Sequence, residues 1–358
     1  MKKIRVAIIG LGRSGRDMHG RMIKFIDDKF ELIAAIDPVK DRRDKAVTEF
    51  KCDVYEDYKE IFNRKDIDLV VNTTPSYLHC KVSTDLMDHG FNVLCEKPAA
   101  ESTEEIDIMI KSANKNGKML AIYQHLGHMP YILKIREIIS SGILGRIVEV
   151  DIKHNTFSRR WDWQTILKYG GGNIYNRGSH VIDQIIGMFN IKKMPSVCCM
   201  MDRVNSYGDA DDYTKIIIKD EGLPFIDIEL SSCQAYPLYN YSIQGSNGGL
   251  LCRSGESIEW RYFKPEEAPI RELIEEPLKD ENGEPSYCRE ILKWYEEKWD
   301  VPKEDKNNYA YAHKRLYNNI YDVLVNGAEL VNAPELSKLQ LMIIEECKLQ
   351  NPQFIYKN

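Results

Sequence analysis

Residues 170–180 read GGGNIYNRGSH, a histidine four residues after an asparagine and behind three glycines. Histidine is the side chain best suited to carry a proton near neutral pH. If the segment is helical, Asn176 and His180 share one face. Far upstream, GLGRSG is a GxGxxG pattern built on Gly10, Gly12 and Gly15. The first glycine permits a tight turn, the second lets a pyrophosphate reach the backbone, and the third allows close helix–strand packing. The helix that follows, with Arg13 and Ser14 at its start, turns its N-terminus toward the phosphates. Asp37 stands about 20 residues past Gly15, the spacing of an acid that binds ribose hydroxyls. An acid there disfavours a 2′-phosphate, so NAD is expected over NADP. Arg42 and Arg43, close by, work the other way.

The elements that must position these residues alternate strand and helix through the first half. IRVAIIG is a short β-branched run suited to a buried parallel strand. ELIAAIDP, IDLVVNTTP, FNVLCEKP and KMLAIYQH follow as strands. In an open α/β sheet, ligands sit at the carboxyl ends of the strands. Thr73, Thr74 and Pro75 fall at one such end, Glu96 and Lys97 at another, and Tyr123, Gln124 and His125 at a third. Lys97 is thereby placed near a nicotinamide ring by topology. In the second half, RIVEVDIKHNTF, SVCCMMDRV, TKIIIKD, PFIDIELSSCQAY and NYSIQGSNGGLLCR read as strands separated by turn signals such as EGLP and SNGG. No long helix interrupts the last four, so an antiparallel sheet is expected. The charged, proline-rich stretch 264–308 reads as surface excursions around a helix from Tyr287 to Lys298. Residues 308–350 read as helical, packed on the sheet edge or back on the first domain.

Bulk properties narrow the class. The chain has 358 residues, which suggests two domains, placed at 1–124 and 125–358. A net charge of −6 offers no electrostatic footprint for nucleic acid. No apolar run approaches a membrane span, and the basic start at Met1 leads straight into glycines and charges rather than a leader. Nine scattered cysteines without CxxC spacing fit a reduced, cytoplasmic chain. His125, His128, His154 and His180 lack ligand spacing, so no metal site is expected.

The order GLGRSG with His19 after it, then Asp37, TTPSYLH with His79, HGFNVLCEKP and the glycine run resembles the Gfo/Idh/MocA oxidoreductases over nearly the whole chain. The resemblance implies an α/β protein: an N-terminal Rossmann domain, doubly wound on a parallel sheet, then an α/β domain with a large, open, mostly antiparallel sheet. It implies a nicotinamide cofactor held by the glycine turn, Asp37, Thr73, Thr74, Pro75, His79, Glu96, Lys97 and Gln124. It implies oxidation or reduction of a secondary hydroxyl on a sugar, inositol or glycoside, and a homo-oligomer formed through the sheets. His180 then takes the acid/base position. Lys97 holds the reacting oxygen and stabilises negative charge on it. Asn176 stands where the family commonly has an aspartate. An amide carries no charge but both donates and accepts hydrogen bonds, so proton transfer falls to His180.

The approach to the glycines reads NTFSRRWDWQTILKYGGG. Tryptophan faces stack on sugar rings, and Arg, Asp and Gln bind hydroxyls. Arg160, Trp161 and Trp163, with Tyr123, His125, Tyr175 and Asn176, are therefore the expected substrate contacts, with Arg159, Asp162, Gln164 and His154 beside them. The expected substrate is a pyranoside or glycoside oxidised at a ring hydroxyl, at C3. The alternatives are an inositol or monosaccharide dehydrogenase, an enzyme that recycles NAD without net redox change, and a non-catalytic NAD sensor.

Overall fold

The computed structural model describes residues 3–306 and 308–356. Six strands, β1 Ile4–Ile9, β2 Phe30–Ile36, β3 Asp53–Tyr55, β4 Leu69–Asn72, β5 Asn92–Cys95 and β6 Leu120–Ile122, form one sheet in the order β3-β2-β1-β4-β5-β6. Every neighbouring pair is parallel. Both faces are covered, which is why these strands are continuously apolar rather than alternating. On one face, helices α1 Arg21–Phe25 and α2 Lys40–Phe50 bury Met22, Ile23 and Ala46. On the other, α3 His79–Asp88 and α4 Thr103–Asn116 bury Val82, Leu86, Ile106 and Met109. The order and the two helix layers are those of the doubly wound fold.

Helix α5 Pro130–Ser140 leads into strand β7 Ile147–Asn155, and helix α6 Ser179–Phe189 follows the glycine run. The remaining strands are β8 Ser196–Asp202, β9 Tyr213–Lys219, β10 Phe225–Ser231, β11 Tyr241–Gly245, β12 Gly248–Cys252, β13 Ser257–Tyr262 and β14 Tyr295–Asp300. They form an eight-stranded sheet with β7, ordered β14-β13-β12-β11-β7-β10-β9-β8, in which β7 and β10 alone run parallel. Strand alternation sorts this sheet into two faces. Ile216, Ile218, Ile226 and Ile228 turn toward the helices. Lys215, Asp227 and Glu229 turn the other way and pair with one another, Lys215 Nζ lying 2.6 Å from Asp227. Val181, Ile182, Ile185 and Ile186 of α6 pack onto the apolar face, each burial contributing about 2 kcal/mol. That packing anchors the helix whose first turn carries His180.

Helices α7 Asn308–Asn326 and α8 Pro334–Leu349 close the chain. Leu316, Tyr317 and Ile320 of α7 enter the core between β1, β2 and α1. Helix α8 lies across both halves: Leu341 joins the core of the first sheet, while Ile343, Ile344 and Cys347 join that of the second. One expectation fails. No helix spans Tyr287–Lys298; residues 287–294 are irregular and β14 begins at Tyr295. Tyr295 stacks on Tyr262 of β13 at 5.5 Å, and Arg261 covers the Trp294 ring at 4.9 Å. Cross-strand aromatic pairing outweighs the local helical tendency. Among the described residues, no helix is long and apolar enough to cross a membrane.

Candidate active site

Strand β1 ends in Gly10, whose φ of +90° suits glycine. A Cβ there would stand 2.5 Å from the Thr73 carbonyl oxygen, and one on Gly15 would collide with the Gly10 carbonyl. A Cβ on Gly12, by contrast, meets nothing within 4 Å. The turn is thus closed on the protein side and open at Gly12. A π-helical turn, Arg13–Gly20, follows without a side-chain cap at its N-terminus, so its first N–H groups face outward toward an anion. Thr73 Oγ1 donates to the Gly10 carbonyl at 2.6 Å and ties β4 to this turn; Thr74 Oγ1 donates to Asn72 Oδ1 at 2.7 Å, just before Pro75. Asp37 directly follows β2 and is buried. It accepts from the backbone N–H of Leu11 at 2.7 Å and of Val39 at 2.8 Å, and pairs with Arg42 at 3.2 Å. An open glycine, an uncapped helix end and a fixed acid fit a dinucleotide, with Gly12 and the first turn under the pyrophosphate and Asp37 at the ribose.

Beneath this turn Glu96 is a hub. Its Oε1 accepts from Ser14 Oγ and lies 3.2 Å from His19 Nε2, and its Oε2 accepts from the Lys97 backbone N–H at 3.0 Å. His19 Nδ1 meets the Tyr317 hydroxyl of α7 at 2.7 Å. Burial works to raise the Glu96 pKa, but the His19 bond and charge, the Ser14 bond and Lys97 overcome it and hold the carboxyl at about 2. His79 is also a brace. Its ring nitrogens meet the Pro98 carbonyl at 2.7 Å and the Thr74 carbonyl at 2.9 Å, which joins the ends of β4 and β5. Burial lowers its pKa, while the carbonyls and Glu96 act in the opposite sense.

Lys97 leaves the end of β5 and donates from Nζ to the Asn176 carbonyl at 3.4 Å. Burial lowers its pKa; Glu96 opposes this and Arg13, at the glycine turn, adds to it. Asn176 lies in a second π-helical turn, Ile174–Gly178, which runs directly into α6. Wide turns of this kind recur at functional sites. His180 sits on the next turn with Nδ1 enclosed and without a hydrogen-bond partner. Burial, then the charges of Lys97, His125 and His154, push its pKa well below the ordinary histidine range. The His125 ring lies 5.7 Å from that of His180 and 4.4 Å from that of His313 on α7. Burial and then His313 hold His125 at about 3. Tyr123 Oη, both His125 ring nitrogens and His313 Nε2 are likewise enclosed without partners. Clustered orphan polar atoms mark a place where a ligand or ordered water supplies the missing bonds.

The glycine run 170–172 is packed against its own protein at two of its three positions. Gly172 has φ +115°, and a Cβ there would collide with Asp211 Oδ1; one on Gly171 would stand 2.6 Å from the Ile166 backbone nitrogen. Protein groups thus require Gly171 and Gly172, while a Cβ on Gly170 would meet nothing within 4 Å. Other expected contacts are also redirected. Gln124 donates to Gln340 of α8 at 3.1 Å, away from the glycine turn. Tyr123 is fully buried between His19, His125, His313 and Tyr317. Tyr175 turns to α8, where Lys348 Nζ lies 3.4 Å from its hydroxyl. Trp161 and Trp163 are 81% and 56% exposed on the approach, and Arg160 bonds Asp162 at 2.5 Å and Gln164. The α7 residues Tyr317 and His313 escaped the sequence reading. The signal was present as Tyr309, His313 and Tyr317, one stripe at four-residue intervals.

Residues 4–124 match the profile of an oxidoreductase family with an NAD-binding Rossmann fold, and residues 132–251 match the Gfo/Idh/MocA C-terminal domain. A 2,7-anhydro-N-acetylneuraminate hydratase of Mediterraneibacter gnavus is 25% identical over 270 residues, 72% of this chain and 70% of that protein. A scyllo-inositol 2-dehydrogenase (NADP(+)) of Bacillus subtilis is 29% identical over 206 residues, 57% of this chain and 56% of that protein. The crystal structure of an NAD-binding protein from Listeria innocua superposes with a TM-score of 0.78 at 20% identity, covering 98% of this chain and 97% of the other. Two consecutive family profiles in the expected order, on the doubly wound sheet and the mixed sheet just described, place the chain in the Gfo/Idh/MocA oxidoreductase family.

Proposed function

We propose that the chain oxidises or reduces a secondary hydroxyl carbon of a sugar or cyclitol with a nicotinamide cofactor. The observation that carries this reading is the meeting of Lys97, from the parallel sheet, with the Asn176–His180 turn, from the mixed sheet's helix. A bound nicotinamide supplies hydride acceptance at the carbinol carbon. His180, kept neutral by burial and by Lys97, takes the hydroxyl proton and returns it in the reverse direction. Lys97 holds the same oxygen and stabilises its negative charge. Asn176 orients a neighbouring hydroxyl without adding charge.

The exposed Trp161 and Trp163 support a pyranoside or glycoside oxidised at a ring hydroxyl, C3 being our assignment. Buried Asp37 supports NAD over NADP, because a 2′-phosphate beside a carboxylate is repelled. A second reading is that the cofactor is reduced and reoxidised within each turnover. The hydratase name of one relative favours it, since hydration moves no electrons overall. The test is nicotinamide absorbance with purified enzyme, NAD and a panel of inositols, monosaccharides, glycosides and 2,7-anhydro-N-acetylneuraminate. Reduction of NAD by one class, lost in His180→Ala and Lys97→Ala, supports the first reading. Substrate conversion without net reduction supports the second. Turnover that survives both substitutions sinks both.

A further inference from the structure

Charge around the Lys97–His180 centre is one-sided. Arg177 directly follows Asn176. Its guanidinium is half-buried and donates only to neutral acceptors, the His154 carbonyl at 3.4 Å and Thr156 Oγ1 at 3.1 Å. Among the described residues it has no carboxylate partner. Burial lowers its pKa and Arg160 lowers it further, with no acid acting in the other direction.

The acids nearby are engaged by protein donors, except that Asp211 Oδ1 is buried without a partner, where burial pushes the carboxyl up to about 6. Glu96 is bound by Ser14, His19 and the Lys97 N–H. Asp162 holds Arg160 at the rim. Asp212 accepts backbone N–H bonds from Val204, Asn205 and Ser206 at 2.5–2.7 Å. Asp211 accepts from the Ile174 N–H at 2.9 Å and the Thr214 hydroxyl at 2.7 Å. Lys97 Nζ reaches the backbone carbonyl of Asn176, whose side chain is a neutral amide. Among the described residues Arg177, Lys97, Arg159 and Arg13 form no ion pair; Arg159 lies over the Tyr207 ring and Arg13 stands at the glycine turn.

A half-buried guanidinium without a counterion is costly. Its planar fork matches a carboxylate through two parallel bonds. We propose that the substrate is a sugar acid and that Arg177 receives its carboxylate, while the ring hydroxyl reaches Lys97 and His180. The proposal rests on the reading of Lys97 and His180 as the centre of hydroxyl chemistry, and names the substrate class of that same site.

Calorimetry on the NAD-loaded enzyme tests it, with methyl glucuronoside and 2,7-anhydro-N-acetylneuraminate each compared with its neutral methyl ester. At least one acid binds roughly 100-fold tighter than its ester, as expected for two charge-assisted hydrogen bonds. Arg177→Gln brings that acid to the level of the ester and leaves ester binding and NAD affinity unchanged, whereas Arg177→Lys keeps part of the preference. Esters that bind as well as the acids, binding by neither, or a preference that survives Arg177→Gln overturns the proposal. Carboxylate binding through Arg177 together with turnover that survives His180→Ala leaves this subsite standing and defeats the catalytic reading. Turnover of neutral sugars that is lost in His180→Ala does the reverse.

Discussion

Glu96→Gln changes one buried carboxylate to an amide of the same shape. The carboxyl is depressed from 4.5 to about 2, which at about 1.36 kcal/mol per pH unit corresponds to ~3 kcal/mol of folding stability at neutral pH. The amide loses the charge in either orientation. With its oxygen toward Ser14 and His19, its NH2 group points at the Lys97 N–H, a donor facing a donor; turned over, it keeps the Lys97 bond but must use the Ser14 hydroxyl and the His19 ring nitrogen as acceptors, which gives up the charge-assisted bonds. Because the folded value lies below the unfolded one, the contribution of Glu96 is complete above about pH 4.5 and is lost as pH falls toward 2. Urea unfolding of wild type and variant at several pH values reads the difference directly. We expect roughly 3 kcal/mol at pH 7 and a gap smaller by roughly 1 kcal/mol at pH 3.5. Subtracting the variant removes the titration of all other carboxylates common to both. A gap below about 1 kcal/mol at pH 7, or one that does not shrink with acid, refutes the assignment of an ionised, hydrogen-bonded Glu96.

Three further outcomes follow from the same geometry. His180 is held well below 6.5 by burial and then by Lys97, so the acid limb of kcat/KM lies below pH 6.5, and a limb above 6.5 in wild type contradicts this; Lys97→Met removes a cation and moves the His180 titration upward, read by NMR of the imidazole because turnover is lost in that variant. Asp37→Ser removes the acid we propose for the ribose and frees Arg42; fluorescence titration should show NAD binding weakened by roughly tenfold or more and NADP binding strengthened, since one charge-assisted hydrogen bond is worth about 1.5–3 kcal/mol. Gly172→Ala forces a Cβ against Asp211 at φ +115°; thermal or chemical unfolding should show about 3 kcal/mol of destabilisation, and a near-neutral result would mean that the segment carries no such constraint.

The parallel sheet was legible because each of its features has a local signal. IRVAIIG runs into GLGRSG, ELIAAID ends in its acid, and each βα unit repeats the rhythm. The candidate site's placement was legible where it follows from topology: Lys97 just past a strand end, and His180 on the helix after the glycine run. It was not legible where a residue's partner comes from a distant segment. The glycine run announces that something comes close, but only folding shows that it is Asp211 and the 164–166 loop. Tyr287–Lys298 has ordinary helix-compatible residues, and β13 decides its last part as a strand. His79 and Gln124 lie at the expected strand ends and helix start, yet they brace carbonyls and α8.

Glu96 shows what those distant partners achieve. Standing before Lys97, it looks like the counterion that would neutralise the lysine. Its oxygens are instead directed to Ser14 from the glycine turn, to His19 from the helix after it, and to the Lys97 backbone N–H. His19 is in turn held by Tyr317, which α7 brings back from nearly 300 positions along the chain. The carboxylate therefore fixes where Lys97 begins without capturing where it ends. Among the described residues the ammonium group donates to the Asn176 carbonyl and forms no ion pair, which on the proposed reading leaves its charge for the oxygen of a bound hydroxyl. A lysine salt-bridged to Glu96 would have lost that capacity, and the polar core built by the tail helix is what prevents it.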